Sequence, residues 1–303
     1  MTILKIGTRG SPLALAQAHE TRARLMAAHK MREADFEIVV IKTTGDAIQD
    51  RPLGEIGGKG LFTKEIEDAL LRGDVDCAVH SMKDMPVDGP KGLTLDCFLP
   101  REDTRDAFIS LKYKSLSDMP AGAKIGTSSL RRRAQVLARR PDLEVVEFRG
   151  NVQTRLRKLE EGVADATFLA VAGLRRLGME AHIQSAIPDT EILPAVAQGA
   201  IGIQRRGDDL NMAQLLSSIS DPATTDQLRA ERSFLKSLDG SCQTPIAGLA
   251  TLNGDQLTLR GEILRIDGSE VIKGEKSGII AQAEEIGKEL ARELLSQTDG
   301  QFF

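Results

Sequence analysis

The chain has no tryptophan and one tyrosine, and aromatic residues make up 3% of its 303 positions. Proteins that stack bare bases need aromatic faces, and a formal charge of -4 has the wrong sign for a phosphate backbone. Nucleic acid is therefore not expected as a partner. There is no run of roughly 18 apolar residues, the length that would suggest a membrane span. Met1-Thr2-Ile3-Leu4-Lys5 does not open a signal-peptide core. The expected location is the cytoplasm, with no membrane partner. The three cysteines are widely and irregularly spaced, giving neither a disulfide framework nor a zinc pattern. His19, His29, His80 and His182 are scattered, so no metal is expected. No exposed apolar stripe stands out, which favours a monomer.

The sequence does have an ordinary 41% of hydrophobic residues, enough for sizeable cores, and a length that fits roughly two or three domains. Ile3 to Ile6 reads as a strand. Ser11 and Pro12 then signal the start of a helix over Leu13 to about Ala28. A strand over Phe36 to Ile41, a helix over Phe62 to Leu71 closed by Gly73, and a strand over Val75 to Val79 follow. Strands alternating with helices predict an α/β fold with a parallel sheet. The plan then repeats. Lys5-Ile6-Gly7-Thr8 recurs as Lys124-Ile125-Gly126-Thr127, and Gly73-x-x-Asp76 recurs as Gly162-x-x-Asp165, each before an apolar strand. Two related lobes are expected, joined at about Pro100 to Arg105 and again at Pro194 to Ile203, with a central cleft between them for a ligand. The expected boundaries are 1–99 with 200–217 for the first lobe and 100–199 for the second.

Residues 218–303 form the third expected domain, a small α+β unit. It has a helix over Pro222 to Leu238, strands at about 246–252, 257–266 and 270–276 forming an antiparallel three-stranded sheet, and a last helix at about 281–295. Asn253-Gly254 and Asp267-Gly268 supply its hairpin turns. Its first loop, Asp239-Gly240-Ser241-Cys242-Gln243-Thr244-Pro245, holds a thiol among small, turn-forming residues. Cys77 and Cys97 instead sit in strand-like apolar runs, where cysteine acts as a small hydrophobe.

Basic and hydroxyl side chains gather where strands end. Arg9 follows the first strand, Thr127-Ser128-Ser129 lead into Arg131-Arg132-Arg133, Arg149 follows another strand, Arg155 opens a helix, and Arg175-Arg176 follow the strand ending at Val171. In open α/β sheets ligands bind beyond the carboxyl ends of the strands, and arginine recognises carboxylates and phosphates in bidentate fashion. The whole set predicts a polyanionic ligand. Lys83-Asp84 sits at another strand exit, where a fixed carboxylate can stabilise a cation. Gly57-Gly58-Lys59-Gly60 lacks P-loop spacing and reads as a lid over about 45–60.

Val79-His80-Ser81-Met82-Lys83-Asp84-Met85-Pro86, Gly126-Thr127-Ser128-Ser129-Leu130-Arg131-Arg132, Leu169-Ala170-Val171-Ala172-Gly173-Leu174 and Gly240-Ser241-Cys242-Gln243-Thr244-Pro245-Ile246 together resemble the porphobilinogen deaminase (hydroxymethylbilane synthase) family, over Ile6 to about Leu295. The resemblance implies lobes built like periplasmic binding proteins. It implies joining of four porphobilinogens into hydroxymethylbilane with loss of ammonia, primed by a dipyrromethane cofactor in thioether linkage to Cys242. It also implies a catalytic carboxylate at Asp84. Cofactor contacts would come from Ser81, Lys83, Thr127, Ser128, Ser129, Arg131, Arg132 and Arg155, and substrate contacts from Arg9, Ser11, Arg149, Arg176 and Gln198. One departure is Glu55, where some members carry lysine, so no substrate contact is assigned to the lid. Two other readings stay open on the residues alone: a dicarboxylate-binding protein, and a transferase using Cys242 as a turnover nucleophile.

Overall fold

The computed structural model describes residues 3–47, 63–240, 244–298 and 302. Cys242 and the Glu55–Lys59 stretch lie outside them. Along the chain the strands are β1 (Leu4–Thr8), β2 (Phe36–Val40), β3 (Cys77–Ser81), β4 (Leu93–Phe98), β5 (Asp106–Ser110), β6 (Lys124–Gly126), β7 (Glu144–Val146), β8 (Ala166–Ala170), β9 (Ser185–Ala186), β10 (Ile201–Arg206), β11 (Ile246–Asn253), β12 (Gln256–Leu264) and β13 (Val271–Ile279). The helices are α1 (Pro12–His29), α2 (Thr44–Ala47), α3 (Lys64–Arg72), α4 (Leu130–Arg139), α5 (Val152–Glu160), α6 (Val171–Arg176), α7 (Leu210–Ser217), α8 (Pro222–Ser237) and α9 (Ala283–Leu295). None of the described helices is long and apolar enough to cross a membrane.

The chain divides into two compact units, Met1–Glu102 with Gly199–Thr225 and Asp103–Gln198 with Asp226–Phe303. Each holds a five-stranded sheet, in the orders β2-β1-β3-β10-β4 and β7-β6-β8-β5-β9. These are one plan built twice. β1 pairs in parallel with β2 and β3, as β6 does with β7 and β8. The repeated Gly-x-x-Asp motif does the same work in both. Gly73 and Gly162 adopt left-handed φ of 76° and 74°, a conformation that favours glycine. The carboxylates of Asp76 and Asp165 then accept from the backbone N–H of Lys5 (2.7 Å) and Lys124 (2.9 Å). Each motif thereby ties the entry to its strand onto the strand beside it.

The sheets are mixed, not parallel as the alternation of elements predicts. β10 runs antiparallel to β3, with Ile201 opposite Ser81, and β5 antiparallel to β8, with Asp106 opposite Ala170. The cause is the crossing of the chain. Both crossings deliver the chain to the carboxyl end of a parallel strand, so the next strand must run back through the sheet. The crossings therefore lie at the ligand-favoured edge of each sheet.

Apolar strand faces and helix faces make the cores. In the first unit Ile6, Leu25, Cys77, Leu99, Ile201 and Ile203 are fully or almost fully buried. Phe108 and Phe168 meet edge-on in the second, with centroids 6.0 Å apart. Burying each such ring contributes about 1.5–3 kcal/mol. Cys77 and Cys97 are buried as the strand reading expects, and burial pushes both thiols up, Cys97 to about 12.

The three-stranded antiparallel meander β11-β12-β13 turns at Gly254 and Gly268, both with positive φ. It belongs to the second compact unit. A side chain at Gly287 of α9 would strike the Ala230 carbonyl and the Phe234 amide of α8, so the two helices approach backbone to backbone. β13 runs three residues beyond the expected strand end, to Ile279, because its whole length pairs with β12.

Candidate functional site

The first unit has a pocket of about 70 Å³ at the carboxyl end of β1 and β3, lined by Arg9, Ser11, Gln17, His80, Ser81 and Asp84 with apolar neighbours. Local sequence places these groups. Ser11 caps α1 by accepting from the Ala14 N–H (3.3 Å), with Pro12 at the first helical position. A short 3₁₀ turn, Met82–Asp84, follows β3 directly. It leaves Asp84 exposed at the pocket and Lys83 half-buried beside it.

Behind this carboxylate the wall is hydrogen-bonded. Gln17 donates to Ser81 Oγ (2.8 Å), and Ser81 donates back to Gln17 Oε1 (3.1 Å). His80 donates from Nε2 to Gln204 Oε1 (3.1 Å), and Gln204 Nε2 donates to Glu67 Oε1 (3.3 Å). Burial pushes the His80 pKa down to about 4, and burial also raises that of Glu67. His80 is thus neutral near pH 7, and Arg9 and Asp84 bring the charge to the pocket.

In the second unit the parallel strands β6, β7 and β8 end along one edge. Thr127, Ser128 and Ser129 follow β6 and act as acceptors. Thr127 Oγ1 takes the Ser129 N–H (3.1 Å), Ser128 Oγ the Phe148 N–H (3.2 Å), and Ser129 Oγ caps α4 at the Arg132 N–H (3.4 Å). Half-buried Arg149 and Arg155 follow β7, where Arg155 Nε donates to the Gly150 carbonyl (2.9 Å). Arg176 is half-buried in the last turn of α6.

Arg131 and Arg132 are only 4% and 5% exposed, and both bind Asp106, the first residue of β5. Arg131 reaches its Oδ2 at 2.8 Å, and Arg132 holds Oδ1 at 2.8 Å and Oδ2 at 3.2 Å. Arg132 also donates to the Phe168 carbonyl (2.7 Å). Buried Gln198 spends its amide hydrogens on the Thr104 carbonyl (2.7 Å) and Asp106 Oδ1 (2.9 Å). Burial opposes the Asp106 charge, but the two guanidiniums outweigh it and hold its pKa well below the usual carboxylate range. The Arg131 Nε–H is buried with no partner among the described residues, a donor in need of an acceptor.

The structure thus gathers Arg9, Ser11, Ser81 and Asp84 at one pocket, and the residues at 127–132, 149 and 155 along one sheet edge. Cys242 lies outside the described residues. Its loop leaves α8 at Gly240, whose N–H donates to the Leu235 carbonyl (3.0 Å), and returns at Thr244 just before β11. The sequence reading missed Gln17, His80 and Asp106 as site residues. His80 stood inside a quoted motif, and Asp106 heads an apolar strand, the one signal available for it.

The family model for the porphobilinogen deaminase dipyromethane cofactor binding domain matches residues 4–214. The model for the porphobilinogen deaminase C-terminal domain matches 225–296. A porphobilinogen deaminase of Paracoccus denitrificans is 64% identical over 300 residues, covering 99% of this chain and 96% of that protein. The chloroplastic porphobilinogen deaminase of Pisum sativum is 54% identical over 307 residues, covering 99% of this chain and 83% of that protein. Among solved structures, an ABC-transporter periplasmic substrate-binding protein from Coxiella burnetii aligns over 73% of this chain and 94% of its own. Its identity is 15% and its TM-score 0.43. The matched family and its relatives define an enzyme of the transferase class. The chain belongs to the porphobilinogen deaminase family.

Proposed function

We propose that the protein deaminates porphobilinogen and joins four molecules head to tail into hydroxymethylbilane, in tetrapyrrole biosynthesis, elongating from a dipyrromethane primer joined to Cys242. The observation that carries this reading is the shared pocket of Asp84 and Arg9. Porphobilinogen carries two carboxylates and, as ammonia leaves, becomes a cation beside a pyrrole N–H. Arg9 supplies the charge for a carboxylate. Asp84 accepts from the pyrrole N–H and stabilises the cation where it develops. The neutral His80 adds no opposing positive charge.

The second unit's edge fits an acidic pyrrolic group, because among the described residues Arg131 keeps a buried Nε–H without a partner. Arg131, Arg132, Arg155 and the hydroxyls at 127–129, with Ser81 and Lys83, would hold the primer. When bound, the primer supplies the pyrrole carbon that takes up porphobilinogen. Arg149, Arg176, Ser11 and Gln198 are assigned with Arg9 to the substrate, Gln198 by ordering the Asp106 cluster. The working division is 1–99 with 200–217, 100–199, and 218–303. It is supported by one sheet in each part. The enzyme is placed in the cytoplasm as a monomer, without metal or nucleic acid.

The test supplies porphobilinogen to the purified protein and follows tetrapyrrole and ammonia together. The reading expects four ammonia released per tetrapyrrole. Porphobilinogen left unconsumed, or ammonia released without tetrapyrrole, overturns it.

A further inference from the structure

The arginine cluster at β5 does not end within its own sheet. Arg131 Nη1 donates to Gln135 Oε1 and to the Leu193 carbonyl, both at 2.9 Å. Gln135 is fully buried and uses both amide hydrogens, on the Leu193 carbonyl (3.0 Å) and on Glu262 Oε2 (2.9 Å). Glu262 belongs to β12 of the three-stranded sheet and is 6% exposed. Its other oxygen meets Lys273 Nζ at 3.0 Å, and Lys273 is its cross-strand partner on β13. A line of hydrogen bonds runs from Lys273 through Glu262, Gln135 and Arg131 to Asp106.

Each link fixes the next. An amide side chain has one accepting and one donating end. The Glu262 carboxylate and the Leu193 carbonyl both accept, so they force the Gln135 nitrogen toward themselves and its oxygen toward Arg131. That oxygen, with Asp106 and Leu193, sets the plane of the guanidinium and the direction of its Nε–H, which has no partner among the described residues. Arg131 and Leu193 favour this amide orientation, and Glu262 takes the second amide hydrogen and so holds the Gln135 side chain in place. β12 and β13 continue from the strand that receives the Cys242 loop.

We propose that Glu262, supported by Lys273, is a positioning residue for Arg131: it aligns the arginine that receives a carboxylate of the primer with the sheet whose first loop carries the primer's attachment thiol. This rests on the proposed function. Glu262 touches no reacting atom and acts through Gln135. Its loss leaves Arg131 bound to Asp106 and Leu193 but loosens Gln135, the third group that sets the guanidinium.

The test compares full-length Glu262→Leu, Glu262→Gln, Arg131→Lys and the Glu262→Leu/Arg131→Lys double variant, prepared without cofactor. Intact-mass spectrometry follows the rate at which each gains a dipyrrole from porphobilinogen, and urea unfolding is measured on the same samples. Glu262→Leu is expected to slow the gain about 5-fold or more, and to have little further effect once Arg131 is lysine, as contacting residues couple. Glu262→Gln keeps one acceptor for Gln135 but turns its NH2 toward Lys273, and is expected to slow the gain less than Glu262→Leu does. If Glu262→Leu does not fold, Lys273→Met takes its place in the cycle. Additive effects, or lowered stability with an unchanged rate of gain, overturn the proposal. An unsubstituted protein that gains no dipyrrole refutes the proposed function instead.

Discussion

Asp84 and His80 line one pocket and carry opposite consequences for substitution. Asp84 is exposed, so Asp84→Asn should change folding stability by no more than about 0.5 kcal/mol, the usual range for surface positions. Losing a charge aimed at a developing cation should still slow tetrapyrrole formation by about 10²-fold or more. Steady-state rates and urea curves on one preparation check both halves. His80 is buried, with its pKa pushed down to about 4. The unfolded chain binds the proton more readily, so stability is complete above pH 6.5 and falls as pH drops toward 4. The loss is about 3 kcal/mol at about 1.4 kcal/mol per unit. Urea unfolding at pH 7 and pH 4.5 should show most of this loss, about 2 kcal/mol, and His80→Gln should remove most of the difference between the two. Sequence alone singled out Asp84 because its motif is local. It passed over Asp106, because pairing it with Arg131 and Arg132 requires β5 and α4 to meet across 25 positions.

The repeat was legible where it is chemical. Lys-Ile-Gly-Thr and Gly-x-x-Asp are short and recur as identities, so the repeat shows without the partners, but the backbone ties that Asp76 and Asp165 make reach 71 and 41 positions along the chain and were not legible. The antiparallel β5 and β10 were not legible, because direction in a sheet is set by where a crossing enters, and no local pattern records that. The same limit hid Glu231 of α8. Its buried carboxylate takes the N–H of Ala197 (2.6 Å) and of Ala250 on β11 (2.8 Å). Ala197 has a φ of 62°, a left-handed conformation that costs a non-glycine residue about 1 kcal/mol or more. Glu231 therefore pins the strained turn before the return crossing onto the third sheet. Glu231→Ala leaves two buried N–H groups unmatched and should destabilise by about 2–6 kcal/mol, at about 1–3 for each lost partner. Chemical denaturation checks it. Gly287→Ala should also destabilise, by about 1–3 kcal/mol, the usual cost of forcing atoms into a tight contact.

At the scale of the whole molecule, two copies of one α/β plan are joined by paired crossings, and a third sheet follows whose first loop carries Cys242. The duplicated plan gives two carboxyl edges with different contents, a carboxylate pocket in the first unit and an arginine-rich edge in the second. That difference suits a reaction that develops positive charge on a substrate bearing several negative ones. Family membership covers both parts of the chain, and in the proposed chemistry a primer bonded to Cys242 in the second part is held by residues of the first. The most direct measurement is the intact mass of the purified protein and of its Cys242→Ser variant, before and after porphobilinogen is added. The account predicts two pyrrole rings on the parent, further stepwise additions with porphobilinogen, and no ring on the variant. Equal additions on both proteins, or none on the parent, would contradict it.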